Sequence, residues 1–368
     1  MGSLLDRRNF IRGAGVAATA TIASTPTMAS DDVTRWRMQC YIPKSITESY
    51  NIIQSATDSI AQSTGGKFVC QLFQANEIVP VPGILNAVGS GSIESANTAS
   101  LFYLGMNKAF AFATGIPFGM NARIQYAWLQ LGGGNEILQK ALYDQYNLVQ
   151  VPAGTTGAQM GGWFNKEIKT VDDLKGLKMR IAGLGGEVLS RMGVIPQMIP
   201  PSDIYTSLEK GTMDAAEFAI PVGDEKTNLQ RVAKYYYTLG FWDYTNQLSC
   251  FFNADAWKKL PEGHRQAMLS AAARMQAFGL AYADAENMPA LQRIIGAGVQ
   301  VRAMPPEIMR KGYEVTMDFY AEECARNPTF KTIYDHYMAF RDSAYRWYSL
   351  NETPMDIFVS NAITRARK

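Results

Sequence analysis

The chain has 368 residues, of which 47% are hydrophobic and 18% charged, and this length is enough for two cored domains at roughly 150 residues each. It contains no run of about 18 consecutive apolar residues, the length that a membrane-spanning helix needs. The net charge is only +2, so the chain offers no basic stripe for binding a nucleic acid.

The N-terminus has the features of an export signal. Arg7-Arg8 is followed by an apolar residue, then by an Ala/Gly-rich run over 13–24 and small residues at 27–29 that a peptidase could cleave. The whole net charge lies in this segment, because residues 1–29 hold three arginines and one aspartate. We predict a twin-arginine signal peptide over 1–29 and a periplasmic mature chain from about Ser30. A cytosolic leader with incidental arginines is the alternative.

The next segment alternates strands and helices. A period of two predicts strands over 36–42, 67–73 and 93–99, and helical spacing predicts helices over 45–62 and 81–88. This order is typical of an α/β fold with a largely parallel sheet and helices on both faces.

The middle of the chain repeats this pattern. Strands are predicted over 163–165 and 178–182, and a short helix over 171–174. The glycines of 183–186 are predicted to form a tight turn that leads into a helix over 187–192.

Further strands are predicted over 213–219 and 249–253, with a short helix over 203–210 and another from Asp255 past Arg265. Beyond Pro305-Pro306 the chain is predicted to be helical to about Tyr348, with a break at Asn327-Pro328. This tail is rich in aromatic residues, which indicate core packing or a subunit contact.

The sequence lacks the motifs of several common metal, catalytic and nucleotide-binding sites. No CxxC or Cys/His spacing occurs, and His264 and His336 are predicted to be surface residues, so neither a zinc site nor a histidine-based triad is supported. Cys40 and Cys70 are predicted to be buried small apolar residues, although a disulfide remains open. The glycines after Ala182 do not form a GxGxxG or a P-loop motif, which argues against a nucleotide site.

Two charged residues, Arg180 and Glu217, are candidates for contact with a ligand. Arg180 comes at the carboxyl end of a predicted strand, where ligands collect in open α/β sheets, and a guanidinium can fork onto a carboxylate. Glu217 lies within an apolar strand and should be desolvated, so it needs a partner. An ordinary surface arginine and a structural salt bridge are the alternatives for these two residues.

Specific motifs reveal a family resemblance. The segments QMGGWF (159–164) and KMRIAGLGGEV (178–188), with 203–221 and 115–134, resemble the substrate-binding subunits of tripartite ATP-independent periplasmic (TRAP) transporters, in the branch that binds 2-oxoacids. The similarity runs from about residue 34 to the late helices. It implies a two-lobed, hinged periplasmic binding protein of type II-like α/β fold with long C-terminal helices.

The resemblance also implies a division of the chain. Lobe I is expected to comprise 30–152 and 245–290, and lobe II 153–244 and 291–325. Residues 326–368 are expected to form a C-terminal helical extension. Some members of this branch dimerise through such helices, and the aromatic tail over 319–347 is compatible with a homodimer of this kind and equally with packing on the chain's own lobes.

The same resemblance assigns site residues. Arg180 is expected to bind the ligand carboxylate, with Gln159, Phe218 and Tyr103 as further substrate contacts. A metal ion bridging to the ligand is expected to be held by side chains or carbonyls of four residues: Gln159, Glu217, Phe218 and Gln247.

A charge count favours a cation independently. Arg180 and a ligand carboxylate neutralise each other, which leaves Glu217 as an uncompensated negative charge in a closed cleft. Bound Na⁺ or Ca²⁺ removes this conflict, and oxygen ligands suit such ions. A protonated Glu217 is the alternative.

One position departs from the branch. Residue 218 is Phe, where the branch typically has Trp. The smaller ring is expected to leave space for a longer or branched 2-oxoacid.

The leading interpretation is therefore a periplasmic, non-enzymatic receptor that captures a small 2-oxo or 2-hydroxy monocarboxylate for the membrane permease of a TRAP transporter. Two alternatives are a metal-assisted lyase or isomerase with Glu217 as its base, and a sensory solute receptor.

Overall fold

The computed structural model describes residues 33–199 and 201–366. The predicted signal peptide over 1–29 lies outside this range. The strands, in chain order, are β1 Thr34–Cys40, β2 Phe68–Phe73, β3 Ser95–Thr98, β4 Leu148–Thr155, β5 Gly162–Phe164, β6 Lys178–Arg180, β7 Ile195–Gln197, β8 Ala215–Ala216, β9 Tyr235–Thr238, β10 Gln247–Asn253 and β11 Gln300–Ala303.

The helices, in chain order, are α1 Thr47–Ser63, α2 Ile84–Gly89, α3 Ala122–Leu131, α4 Gly134–Ala141, α5 Gly183–Arg191, α6 Pro201–Glu209, α7 Pro221–Asp224, α8 Ala254–Lys259, α9 Glu262–Gly296, α10 Pro306–Arg326, α11 Pro328–Leu350 and α12 Glu352–Ala366. Short 3₁₀ helices lie between them, one of them over Val171–Leu174. No described helix is long and apolar enough to cross a membrane.

The strands form two mixed sheets. The first has the order β2-β1-β3-β10-β4 and the second β11-β9-β5-β8-β6-β7. The predicted largely parallel character is confirmed, since all described strands but one in each sheet run in the same direction. The exceptions are β10, which runs antiparallel to both β3 and β4, and β5, which runs antiparallel to both β8 and β9. The chain crosses from the first sheet to the second between β4 and β5, returns between β9 and β10, and crosses again before β11.

The long helix α9 packs against α1 and β4 on the side of the first sheet and against α7 near the second. The predicted lobe division places β1–β3 and β10 in lobe I and β5–β9 and β11 in lobe II. Its boundaries stay a prediction.

Two predicted helices have different bounds in the structure. Helix α5 begins at Gly183 itself, so the glycines form its first turn and do not precede it. The predicted helix from Asp255 is interrupted after Lys259, because Pro261 cannot donate a backbone hydrogen bond, and α9 begins at the next residue.

Strand β8 is shorter than predicted and ends before Glu217. Its neighbour β5 approaches closely through Gly162, whose φ is +103° and where an added Cβ would lie 2.7 Å from the Ala216 carbonyl oxygen. After Ala216 the carbonyl of Glu217 accepts a hydrogen bond from the Arg180 side chain. The sheet therefore ends where the two charged residues meet.

The histidines are not surface residues, contrary to the prediction. Both are half-buried: His336 accepts a hydrogen bond from Trp128 Nε1 at 3.0 Å, and His264 stacks on Phe68 with ring centroids 5.0 Å apart. Cys40 and Cys70 are buried, as predicted, and both are free thiols.

The aromatic tail packs largely into the core. Phe319, Tyr320 and Tyr337 are fully buried. The Tyr320 hydroxyl donates to the Pro117 carbonyl at 2.7 Å, and the Tyr337 hydroxyl accepts from the Met120 amide at 2.8 Å. Helices α10 and α11 are thus fixed to the rest of the fold.

Candidate functional site

Arg180 and Glu217 lie side by side at the ends of two neighbouring parallel strands. Arg180 is the last residue of β6, whose partner Ala216 is the last residue of β8. The Glu217 amide donates to the Arg180 carbonyl at 2.9 Å. Arg180 Nη1 lies 3.0 Å from Glu217 Oε2 and also donates to the Glu217 main-chain carbonyl. Both residues thus occupy the carboxyl edge of the sheet, where ligands bind in open α/β folds.

This ion pair is buried and incompletely hydrogen-bonded. The side chains are 10% and 2% exposed. Burial raises the pKa of Glu217, and the positive charge of Arg180 opposes that rise. Arg180 Nε and Glu217 Oε1 have no hydrogen-bond partner in the described residues. A buried pair of charges is stable only when its remaining donors and acceptors are also satisfied, so both groups have capacity for a ligand.

Gln159 lies on the segment between β4 and β5. Its main-chain amide donates to the Tyr244 carbonyl at 2.8 Å, and its side-chain Nε2 donates to the Asp243 carbonyl at 3.0 Å. Its Oε1 is buried and has no partner in the described part of the chain. The side chain is therefore held by its nitrogen and retains a free acceptor oxygen.

Phe218 flanks the ion pair. The Arg180 guanidinium carbon lies 6.0 Å from the centroid of the Phe218 ring, at the limit of a cation–π contact. The ring is half-buried and also packs against the core of the second sheet. Its position lets it shape the space beside Arg180.

Gln247 and Tyr103 form hydrogen bonds with residues other than Arg180 and Glu217. Gln247 Nε2 donates to the Gly154 carbonyl at 2.6 Å and to Gln276 Oε1 at 2.7 Å, although its own Oε1 is buried and unpartnered within the described ranges. The Tyr103 hydroxyl pairs with Thr98 Oγ1 at 2.8 Å inside the core of the first sheet. The roles predicted for these two residues stay predictions.

Sequence reasoning missed Trp242 and Asp243. Asp243 is buried, and its Oδ2 accepts from Asn246 Nδ2 at 3.0 Å. Burial raises its pKa well above the usual range, the nearby charge of Glu217 raises it further, and Arg180 opposes the shift. The criterion that singled out Glu217, a carboxylate in an apolar run, also applies to Phe241-Trp242-Asp243-Tyr244, but this run falls between the predicted strands.

Comparison with known proteins identifies the family. Residues 42–327 match DctP, described as bacterial extracellular solute-binding protein, family 7. The chain belongs to the DctP family. The resemblance to TRAP substrate-binding subunits predicted from the motifs is thereby confirmed.

Relatives of this DctP chain cover nearly all of it. A monocarboxylate 2-oxoacid-binding periplasmic protein of Nostoc sp. is 39% identical over 365 residues, 97% of this chain and 100% of that protein. A TRAP solute-binding protein of Bordetella bronchiseptica superposes with a TM-score of 0.87 at 40% identity, covering 91% of this chain and 99% of that one. That protein is a mixed-occupancy dimer, with copurified calcium and picolinate bound in one active site and an apo site in the other. A TRAP solute-binding protein of Pseudoalteromonas atlantica, with bound sodium and pyruvate, gives 0.82 at 30% identity, covering 88% and 98%. These structures confirm the predicted fold class.

The DctP site fits a hard cation by its donor set. Gln159 Oε1 and Glu217 Oε1 are both buried and have no partner within the described residues, and Gln247 Oε1, whose role stays a prediction, is likewise unpartnered. Oxygen is the ligand type that Na⁺ and Ca²⁺ prefer. Two buried carboxylates, Glu217 and Asp243, also interact with the single guanidinium of Arg180. No described group of three or more His, Cys, Asp or Glu residues could hold a metal, so a cation here depends on amide and ligand oxygens as well as Glu217.

Proposed function

We propose that this protein is a periplasmic receptor that captures a small 2-oxo or 2-hydroxy monocarboxylate together with Na⁺ or Ca²⁺ and delivers it to TRAP permease subunits. The observation that carries the proposal is the buried Arg180–Glu217 pair, with a free donor on one residue and a free acceptor on the other. The pyruvate- and picolinate-bound relatives support the ligand class, and their sodium and calcium support the cation.

The two charged residues have separate tasks. Arg180 Nε is free to donate to the ligand carboxylate, which adds a charge-assisted hydrogen bond in a site that excludes water. Glu217 and Gln159, with Gln247 and the main chain at Phe218, would hold the cation. When bound, the cation supplies the positive charge that balances Glu217 and the ligand.

Capture requires no covalent chemistry. A ligand that contacts residues of both lobes stabilises the closed state by as much as its affinity differs between the open and closed forms. We therefore propose a receptor and not an enzyme: pyruvate incubated with the protein and Ca²⁺ should show an unchanged NMR spectrum, whereas conversion would favour a metal-assisted lyase or isomerase.

Export and assembly complete the proposal. The arginine pair at 7–8 supports export by the twin-arginine route, with cleavage after Ala29. A homodimer through the C-terminal helices is also proposed, since the Bordetella relative is a dimer.

A thermal-shift experiment tests the receptor function. A ligand that binds only the folded state raises the melting temperature, so pyruvate should raise it for the chain from Ser30, and more so with CaCl₂ or NaCl present. Arg180→Met should abolish the pyruvate-dependent shift. The matched control Arg191→Met, which removes an arginine paired with Glu322 outside the site, should retain it. A panel of 2-oxo and 2-hydroxy monocarboxylates that gives no shift with either cation would refute the proposal.

A further inference from the structure

Trp242 carries an N–H group that the fold does not use. The residue is 2% exposed, and its Nε1 makes no hydrogen bond within the described residues. An indole nitrogen can only donate, and a buried donor without a partner is costly and rare in native proteins. An acceptor that arrives with a ligand would satisfy it.

Trp242 lies next to two segments of the candidate site. The next residue, Asp243, supplies the carbonyl that holds the Gln159 side chain at 3.0 Å. On the other side Trp242 packs on the first turn of α5, where a Cβ added to Gly185 would lie 2.7 Å from Trp242 Cβ and 2.9 Å from its carbonyl oxygen. Since α5 begins three residues after Arg180, Trp242 is wedged between the segments that carry Arg180 and Gln159.

The unpartnered buried atoms of this region divide into two chemical types. Arg180 Nε and Trp242 Nε1 are donors, whereas Gln159 Oε1 and Glu217 Oε1 are acceptors. Acceptor oxygens suit a cation, and N–H donors suit an anionic carboxylate. The site thus contains one set of groups for each of the two charges that the proposed function brings to it.

We propose that Trp242 donates its indole N–H to the carboxylate of the captured anion, beside Arg180, and is a further anion-binding residue of the site. This inference rests on the proposed function. The second donor fixes the orientation of the carboxylate, so that the remainder of the ligand points toward the cation-binding oxygens.

The test compares two acids that share a carboxylate and differ at C2, pyruvate and L-lactate, by calorimetry with CaCl₂ present. Trp242→Phe removes the N–H but also leaves a smaller ring, which could disturb folding. Incorporation of 3-benzothienylalanine at position 242 therefore serves as the second variant, because it replaces the N–H with sulfur at nearly unchanged size. Both changes should raise the Kd of both acids by a similar factor of about 10 to 100, the usual effect of losing a hydrogen bond to a charged group.

The control is Trp128→Phe, because Trp128 is equally buried but its Nε1 already donates to His336 at 3.0 Å. It should leave both Kd values unchanged and lower the melting temperature of the ligand-free protein more than Trp242→Phe does. An unchanged Kd in the 3-benzothienylalanine protein overturns the proposal. A rise in Kd for only one of the two acids also overturns it, because the indole N–H would then contact the oxygen on C2 and not the shared carboxylate. If the unaltered protein binds neither acid, the comparison is made with a member of the 2-oxo and 2-hydroxy acid panel that does bind, and if none of the panel binds with CaCl₂ or NaCl, the proposed function itself fails.

Discussion

Glu217 is the residue whose charge decides how the site holds an anion. Burial raises the pKa of its carboxyl group and that of the nearby Asp243, and the positive charge of Arg180 opposes both shifts, so an ionised Glu217 needs a compensating positive charge. An incoming carboxylate adds a further negative charge that Arg180 alone cannot balance. In the proposed function, the electrostatics of these three side chains would couple anion binding to cation binding.

Glu217→Gln should weaken this coupling. The amide keeps the size of the side chain but removes the charge that attracts the cation, so the Kd for Ca²⁺ measured by calorimetry in saturating pyruvate should rise at least about tenfold. Glu322→Gln, which neutralises an exposed partner of Arg191, is the control and should keep the original Kd. Calcium binding that is equally tight in Glu217→Gln would show that Glu217 is only the structural partner of Arg180.

Phe218 should set the size of the ligand. Its half-buried ring lies beside Arg180, and each methylene that a pocket accommodates or excludes changes affinity by about 1–3 kcal/mol. We expect 2-oxobutyrate or 3-methyl-2-oxobutyrate to bind at least as tightly as pyruvate, and Phe218→Trp to reverse that order in calorimetry. Pyruvate binding more tightly than every longer homologue would count against this role.

The site could be predicted in part. Arg180 is indicated by its place at the carboxyl end of a predicted strand, and Glu217 by its place in an apolar strand, where a carboxylate needs a partner. Phe218 follows from the family motif, and all three residues lie together. Trp242 and Asp243 were missed because they lie in a loop, whose position depends on contacts with Gly185 and Gln159 far away in the chain. The periodicity of a sequence carries no information about such contacts.

At the level of elements, Asp224 ties the segment that carries Glu217 to the second sheet. Its Oδ2 accepts from Trp163 Nε1 of β5 at 2.9 Å and from the Tyr236 hydroxyl of β9 at 2.7 Å, and its Oδ1 accepts from the Ala219 amide at 3.0 Å. Helix α7, which ends at Asp224, thereby fixes the chain two residues beyond Glu217.

Asp224 should make stability depend on pH. Burial raises its pKa from 3.8 to about 7, so the folded state holds its proton more tightly than the unfolded state does. The stability that this group contributes is complete below about pH 4 and is lost as the pH rises through 7. Urea unfolding at pH 5 and pH 8 should show the unaltered protein losing roughly 2–3 kcal/mol more than Asp224→Asn over that interval. Equal losses in the two proteins would contradict the assignment.

Local patterns predicted the type of most elements but not their pairing. The strands near Trp36 and Phe68 and the helix after Ser45 are present because the periodicity of a half-buried element is written into neighbouring residues. The mixed character of the sheets was not predictable, since the antiparallel partners of β10 come from segments about 100 or more residues away. The early end of β8 likewise depends on the Arg180 side chain, which a local pattern cannot show.

For the whole molecule, the C-terminal helices divide into a packed part and an exposed part. Helices α10 and α11 bury aromatic residues against the fold, whereas α12 has no buried residue. Several of its large apolar side chains are exposed: Met355, Ile357, Phe358, Val359 and Ile363. An apolar surface of this kind is typical of an interaction site, in agreement with the proposed homodimer.

Removing residues 351–368 should convert the dimer to a monomer. Light scattering after size-exclusion chromatography would measure the mass, and the pyruvate Kd should stay unchanged because the deletion begins beyond the helices that pack on the fold. The Arg123–Glu352 ion pair is lost as well, but both side chains are partly exposed and such pairs contribute only about 0–1 kcal/mol. Phe358→Glu should weaken the dimer in the full-length chain, whereas Leu131→Glu, at a leucine that is 94% exposed on α3, should not. A dimer that persists in the shortened chain would place the interface elsewhere, and a monomeric unaltered protein at the same concentration would exclude the assembly.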